Sequence, residues 1–263
     1  MKLYVASAGT GKTHALVQEL LALLRQGVPL RRMAALTFTR KAAEELRSRI
    51  LKEVQALNGV EAAVREEAER ELYGALFTTI HGFMAEVLRH TAPFLSLDPD
   101  FTVLDQFVAE AIFLEEARSL LYLKGLDPLG AEGVLEALLT LYRKRSMVEA
   151  FKPLTGAEEV HGLFQEALRR YGARTREALA PADLEALALR LLEHPQAVRR
   201  VVERFPHIFL DEYQDVNPLQ GRFFGALEEA GAKVVAVGDP KQSIYLFRNA
   251  RVEVFLKALN RAE

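Results

Sequence analysis

Residues 6–13 read ASAGTGKT, and no other stretch restricts the fold of this chain as much. A short apolar run, Leu3–Val5, leads into it. A helical stripe of Leu16, Leu20, Leu23 and Leu24 leaves it and stops near Gly27. Between a strand and a helix, Gly9 and Gly11 let the backbone curl so that successive N–H groups point at phosphate oxygens. The helix starting near Lys12 aims its positive dipole end at the same place. With Ala6 in the first position and Gly11-Lys12-Thr13 at the end, the spacing fits the Walker A pattern. Ala8, Gly9, Thr10, Gly11, Lys12 and Thr13 are therefore the candidate nucleotide-binding residues. Lys12 would reach the β- and γ-phosphates, and the Thr13 hydroxyl would ligate Mg²⁺. A chance glycine-rich turn is the blander account, and the strand and helix on either side argue against it.

Further apolar runs at Ala34–Phe38, Leu76–Thr79, Ile208–Leu210 and Lys233–Val237 read as buried strands of a parallel sheet. Ala42, Leu46, Ile50, Val54 and Leu57 stripe a second helix that ends at Asn58-Gly59. Strand, loop, helix, strand is the pattern of a doubly wound α/β fold. Residues 106–182 break that pattern. They show helical periodicity with Gly/Pro punctuation at Gly125, Pro128, Gly156, Gly172 and Pro181, and no strand. This predicts an all-helical subdomain at 106–182, inserted between two parts of the α/β domain at 1–105 and 183–263. The basic clusters Arg143-Lys144-Arg145 and Arg169-Arg170 are read as solvated helix faces.

A phosphate loop needs a carboxylate at the end of a neighbouring strand to hold Mg²⁺. Ile208-Phe209-Leu210 ends in Asp211 and Glu212. Asp211 takes the metal role, and Glu212 is the general base that polarises the attacking water. Asp215 is read as a helix-start residue favoured by the dipole.

Composition removes other chemistries. There is no cysteine, which excludes disulfides, zinc–cysteine sites and thiol nucleophiles. The net charge of −2 rules out bulk attraction to nucleic acid but leaves room for a local basic groove. Residues 30–53 hold seven basic residues against three acidic ones, with Phe38 among them. No signal-peptide core follows Met1-Lys2, and no apolar stretch is long enough to cross a bilayer, so a cytoplasmic protein with no membrane partner is expected.

Three further stretches, LTFTRKAAEELRSRI (36–50), FTTIHGF (77–83) and VGDPKQSIYLFRNA (237–250), join ASAGTGKT and LDEYQD in the order and spacing of superfamily-1 helicase motifs. With them the chain resembles the ATP-binding half of a UvrD/RecB/AddA-like DNA helicase, and most resembles the RecB and AddA branch. The resemblance covers 1–105 and about 183–263. It implies a RecA-like P-loop NTPase sheet flanked by helices, ATP and Mg²⁺ as cofactors, and single-stranded DNA or a duplex–single-strand junction as partner. It also implies a role in DNA repair or recombination and a nuclease subunit or domain as a further partner.

Residue by residue, the resemblance places Phe38, Thr39 and His81 at single-stranded DNA. Gln242 matches the glutamine that senses the γ-phosphate. Tyr245 and Phe247 match aromatics that stack on bases, and Arg248 matches a basic contact. A flat side chain stacked on a base is worth about 1–3 kcal/mol, so a loop carrying both kinds of group can link hydrolysis to stacking. Phe247 stands where the family often has tryptophan, and Leu246 and Asn249 stand where it often has glycine. The adenine-reading glutamine motif of UvrD-like members has no room before a loop that begins at residue 6.

The second RecA-like domain of such helicases follows the coupling motif and carries arginines that reach the γ-phosphate. Arginines of this kind contribute about 10³–10⁵ in rate. The chain is accordingly expected to be a fragment that binds nucleotide and hydrolyses it poorly, with the C-terminal domain as its partner in cis. A nucleotide-gated DNA-binding or scaffolding module without turnover is the alternative. A P-loop kinase is a third reading, and it leaves VGDPKQSIYLFR unexplained.

Overall fold

Five short apolar runs, none longer than six residues, pair as one parallel sheet. The computed structural model describes residues 1–5, 12–57, 61–72, 74–127, 130–147 and 158–239. Among them the strands are β1 (Lys2–Val5), β2 (Met33–Thr37), β3 (Leu76–Thr79), β4 (Thr102–Val103), β5 (Ala178–Leu179), β6 (His207–Leu210) and β7 (Lys233–Gly238). The helices are α1 (Lys12–Arg25), α2 (Arg40–Gln55), α3 (Ala62–Glu71), α4 (Ile80–His90), α5 (Ala92–Leu95), α6 (Gln106–Leu123), α7 (Glu132–Lys144), α8 (Glu158–Arg174), α9 (Pro181–Leu191), α10 (Pro195–Arg204) and α11 (Pro218–Glu229). The chain divides into two compact units. One is formed by Met1–Phe94 with the residues from Ala188 onward, the other by Leu95–Leu187.

In the first unit the strand order is β1-β7-β6-β2-β3. Each pair is parallel, so every strand ends at the same edge. Ala35, Phe209 and Val235 lie in register across three strands. Side chains alternate along a strand, so these three share one face. There they meet Leu16, Leu20, Leu21 and Leu24 of α1 and Leu46, Ile50 and Val54 of α2. Ala34, Leu36, Ile208, Leu210, Val234 and Ala236 turn to the other face by the same alternation, and all are buried. On that side Phe83 of α4 packs against Phe205, Phe223 and Phe224, at centroid distances of 5.4, 6.3 and 6.1 Å. Each such aromatic pair adds about 0.5–1.5 kcal/mol beyond area burial. Burial on both faces is why β2, β6 and β7 read as nearly continuous apolar runs.

The helix ends follow local chemistry. Gly27 has φ +78°, and Val28 N–H bonds back to the Leu23 carbonyl at 3.0 Å, so α1 stops where only glycine adopts the turn without strain. In α2 the buried stripe is Ala43, Leu46, Ile50 and Val54. Ala43, rather than the expected Ala42, begins it.

The second unit is built on α6, α7 and α8, whose buried residues include Phe113, Leu121, Leu138, Tyr142, Phe164 and Tyr171. Phe113 stacks on Tyr142 at 4.3 Å. Two features differ from the sequence reading. Residues 102–103 and 178–179 form a two-residue parallel pair, β4 with β5, too short to leave an alternating pattern. The basic clusters are also not simply solvated. Arg145 lies 3.7 Å above the Tyr142 ring and donates to Asp183 at 2.9 and 3.2 Å. Arg143 forks onto Glu110 at 2.7 and 3.0 Å, and Arg170 pairs with Glu116 at 3.1 Å. The Arg143 guanidinium holds the buried Glu110 carboxyl below the usual carboxylate range.

Candidate active site at the carboxyl edge of the sheet

All five strands of the first unit end along one edge, and open α/β sheets bind ligands outside the carboxyl ends of their strands. β1 ends at Val5 opposite Gly238, so β1 and β7 end side by side, with Asp239 directly after β7. Asp211 follows β6, Phe38 follows β2, and Ile80-His81 follow β3.

Asp211 is fixed by the backbone on one side. Its N–H donates to the Leu36 carbonyl at 2.9 Å, extending the β6–β2 ladder by one residue. Its Oδ1 accepts from Glu212 N–H at 2.9 Å, and its Oδ2 accepts from the Thr13 hydroxyl at 3.4 Å. Thr13 lies in the first turn of α1, so the chemistry of the first strand–helix junction meets that of the sixth strand here. A hydroxyl and one carboxylate are oxygen donors suited to Mg²⁺, which keeps waters and phosphate oxygens as its other ligands. Among the described residues no three His, Cys, Asp or Glu side chains group into an all-protein metal cage.

Glu212 has φ +53° and ψ +45°, a left-handed conformation in a residue that is not glycine. Strain of this kind costs on the order of 1–3 kcal/mol and persists only where the surroundings enforce it. The turn ends the strand abruptly and starts the 3₁₀ turn Tyr213–Asp215, which buries Tyr213, Gln214 and Asp215. The Gln214 amide donates to Glu212 Oε2 at 2.6 Å and accepts from Asp239 N–H at 2.9 Å.

Asp215 is not the helix-start residue expected from sequence. It is buried in the 3₁₀ turn, and its N–H bonds to the Glu212 carbonyl at 2.9 Å. Asn217 caps α11 instead. Its side chain accepts from Gln220 N–H at 2.9 Å, the Gln220 side chain accepts from Asn217 N–H at 3.3 Å, and Pro218 occupies the first helical position.

On the β2–β3 side, Thr37 pairs with Thr79 in register. Phe38 is half-buried and Thr39 is exposed. Thr39 caps α2 by accepting from Ala42 N–H at 3.1 Å, and Thr79 caps α4 by accepting from Gly82 N–H at 3.0 Å. His81 sits half-buried in the first turn of α4. Arg40, Lys41, Arg47, Arg49 and Lys52 are exposed along α2. The structure thus gathers Thr13, Asp211 and Glu212 in one place and sets Phe38, Thr39 and His81 along the same edge at β2 and β3. Ala8, Gly9, Thr10, Gly11, the Lys12 side chain, Gln242, Tyr245, Phe247 and Arg248 lie outside the described residues. Sequence reasoning overlooked Gln214 and Asp239. A glutamine two residues past the acidic pair was the one available signal, and nothing local distinguishes it from a surface amide.

The sequence profile described as UvrD/REP helicase N-terminal domain matches residues 2–263. Among curated relatives, DNA helicase II of Haemophilus influenzae is 28% identical over 98% of this chain and 34% of its own length. The ATP-dependent DNA helicase PcrA of Leuconostoc citreum is 27% identical over 97% of this chain and 32% of its own. PcrA of Staphylococcus aureus is 28% identical over 97% and 33%. The chain spans about a third of the length of these curated relatives.

Proposed function

The chain belongs to the UvrD/REP helicase N-terminal domain family, and we propose that it is the ATP-binding motor region of an ATP-dependent DNA helicase acting in DNA repair or recombination. Its α/β fold is the RecA-like P-loop fold of that family. The observation that carries the reading is the Thr13–Asp211 contact, which joins the end of the phosphate-loop motif to the acid that ends β6.

The chemistry follows from the placement. Residues 8–13 hold the phosphates, with Lys12 at the β- and γ-phosphates. Thr13 and Asp211 would hold Mg²⁺, which would supply positive charge against the phosphates. Glu212 takes a proton from the water that attacks the γ-phosphorus. The bond from that phosphorus to the β–γ bridging oxygen breaks, giving ADP and phosphate. Gln242 senses the γ-phosphate. Phe38, Thr39, His81, Tyr245, Phe247 and Arg248 contact single-stranded DNA, and residues 106–182 form a helical insertion in the motor at 1–105 and 183–263.

Calorimetry with Mg-ADP tests the assignment. The unmutated chain binds, and Lys12→Ala loses at least about tenfold in affinity, the equivalent of 1.4 kcal/mol. Unchanged affinity would remove the phosphate assignment. Fluorescence anisotropy with a labelled oligonucleotide tests the DNA edge. Binding of both ligands with no hydrolysis in any context would favour a gated binding module over a motor.

A further inference from the structure

The buried amide of Gln214 has a polarity it cannot choose. The side chain is 3% exposed, so both ends need protein partners. Asp239 N–H can only donate, and it lies 2.9 Å from Oε1. The amide nitrogen must then face the other way, and it meets Glu212 Oε2 at 2.6 Å. A backbone group at the end of β7 thereby dictates that a donor is presented to the carboxylate at the end of β6.

We infer that Gln214 is a positioning residue for Glu212, its amide bridging the Asp239 backbone N–H and the carboxylate. The inference rests on Glu212 being the base for hydrolysis. Three observations carry it. Glu212 is half-buried and held in a left-handed conformation, so its side chain starts from an enforced direction. Its backbone N–H is already tied to Asp211 Oδ1 at 2.9 Å, which links the direction of the base to the metal-binding acid. The Gln214 amide then restricts the remaining rotamers from the far end. Asp239 is also three positions before Gln242, so the clamp ties the base to the chain segment that carries the γ-phosphate sensor.

Two substitutions separate the two ends of the amide. At about pH 8, Gln214→Glu keeps an acceptor for Asp239 N–H but removes the donor facing Glu212. Gln214→Ala removes both. In the full chain, amide hydrogen exchange at Asp239 should stay within about threefold of the unmutated protein in Gln214→Glu and accelerate at least about tenfold in Gln214→Ala, because only the latter strips its acceptor. Single-turnover ATP hydrolysis should fall about 10–100-fold in both, the scale of a displaced catalytic group, while Mg-ADP affinity stays within about threefold. In a Glu212→Gln background neither substitution should lower the residual rate further. Full hydrolysis in Gln214→Glu, or an equal further loss in the Glu212→Gln background, overturns the inference. If Lys12→Ala leaves Mg-ADP affinity unchanged, the functional reading fails, and unchanged exchange at Asp239 in Gln214→Ala still overturns the clamp by itself.

Discussion

The Thr13 hydroxyl donates to Asp211 Oδ2 across 3.4 Å, joining residues 198 positions apart in the chain. One comes from the first turn of α1 and the other from the end of β6, and the order β1-β7-β6 brings those ends together. Asp211 has no freedom to turn away, because its other oxygen accepts from Glu212 N–H.

Asp211→Asn keeps the shape and removes the charge. Without added Mg²⁺, ADP affinity should change less than about threefold. The enhancement that Mg²⁺ is expected to give the unmutated protein should drop by at least about tenfold, since an amide is a weak ligand for a hard cation. Calorimetry at two Mg²⁺ concentrations checks this, and an unchanged Mg²⁺ enhancement would dismiss Asp211 as a ligand.

The left-handed backbone of Glu212 predicts an inverted ranking of two substitutions. Alanine in place of glycine ordinarily stabilises an element by about 0.5–1 kcal/mol. At position 212 the chain with Glu212→Gly should be more stable than that with Glu212→Ala, by about 1 kcal/mol, because only alanine retains the Cβ penalty. Urea unfolding of the two variants decides it. The ordinary order would mean that this turn is not under strain.

Gly82 is required by contact rather than by backbone angle. A Cβ there would lie 2.1 Å from Thr78 Oγ1 and 3.3 Å from both Thr78 Cβ and Thr79 Oγ1. Gly82→Ala should destabilise by about 1–3 kcal/mol through overpacking. Adding Thr78→Ala should recover part of that loss by removing the nearest atom. Thermal unfolding of the single and double variants measures the recovery, and none would place the cost elsewhere.

His207, at the start of β6, has its pKa pushed below the usual 6.5, first by burial and then by the positive charges of Lys233 and Arg32. The folded state therefore binds its proton less readily than the unfolded chain. Stability from this residue is complete above about pH 6.5 and is lost as pH falls through the lower folded value, with a slope of at most about 1.4 kcal/mol per pH unit. His207→Gln should flatten that part of the curve. A difference between unmutated and variant stability that does not change between about pH 7.5 and 5 would contradict it.

Much of the first unit could be read from local pattern. β2, β6 and β7 are buried on both faces and nearly apolar throughout, and together with the less buried β1 and β3 they stand out at Lys2–Val5, Met33–Thr37, Leu76–Thr79, His207–Leu210 and Lys233–Gly238 to within a residue or two. The helix stripes of α1 and α2, the stop at Gly27 and the pairing of a phosphate-loop motif with an acid at a strand end come from the same kind of short-range information. Asp215 shows where that information ends. An acid just before a proline-led helix reads as a helix-start residue favoured by the dipole, whereas the folded chain buries it in the 3₁₀ turn and Asn217 caps α11.

Residue type and spacing alone determined that this chain builds a parallel α/β sheet, and they pointed to Thr13 and Asp211 as its candidate phosphate and metal residues. Tertiary structure alone decided the order β1-β7-β6-β2-β3, the stacking of Arg145 over Tyr142, and the direction of the Gln214 amide. The physical reason is range. Propensity and periodicity act within a few residues, whereas strand order, a cation over a ring and the polarity of a buried amide depend on groups that only the folded chain brings within hydrogen-bond or van der Waals distance.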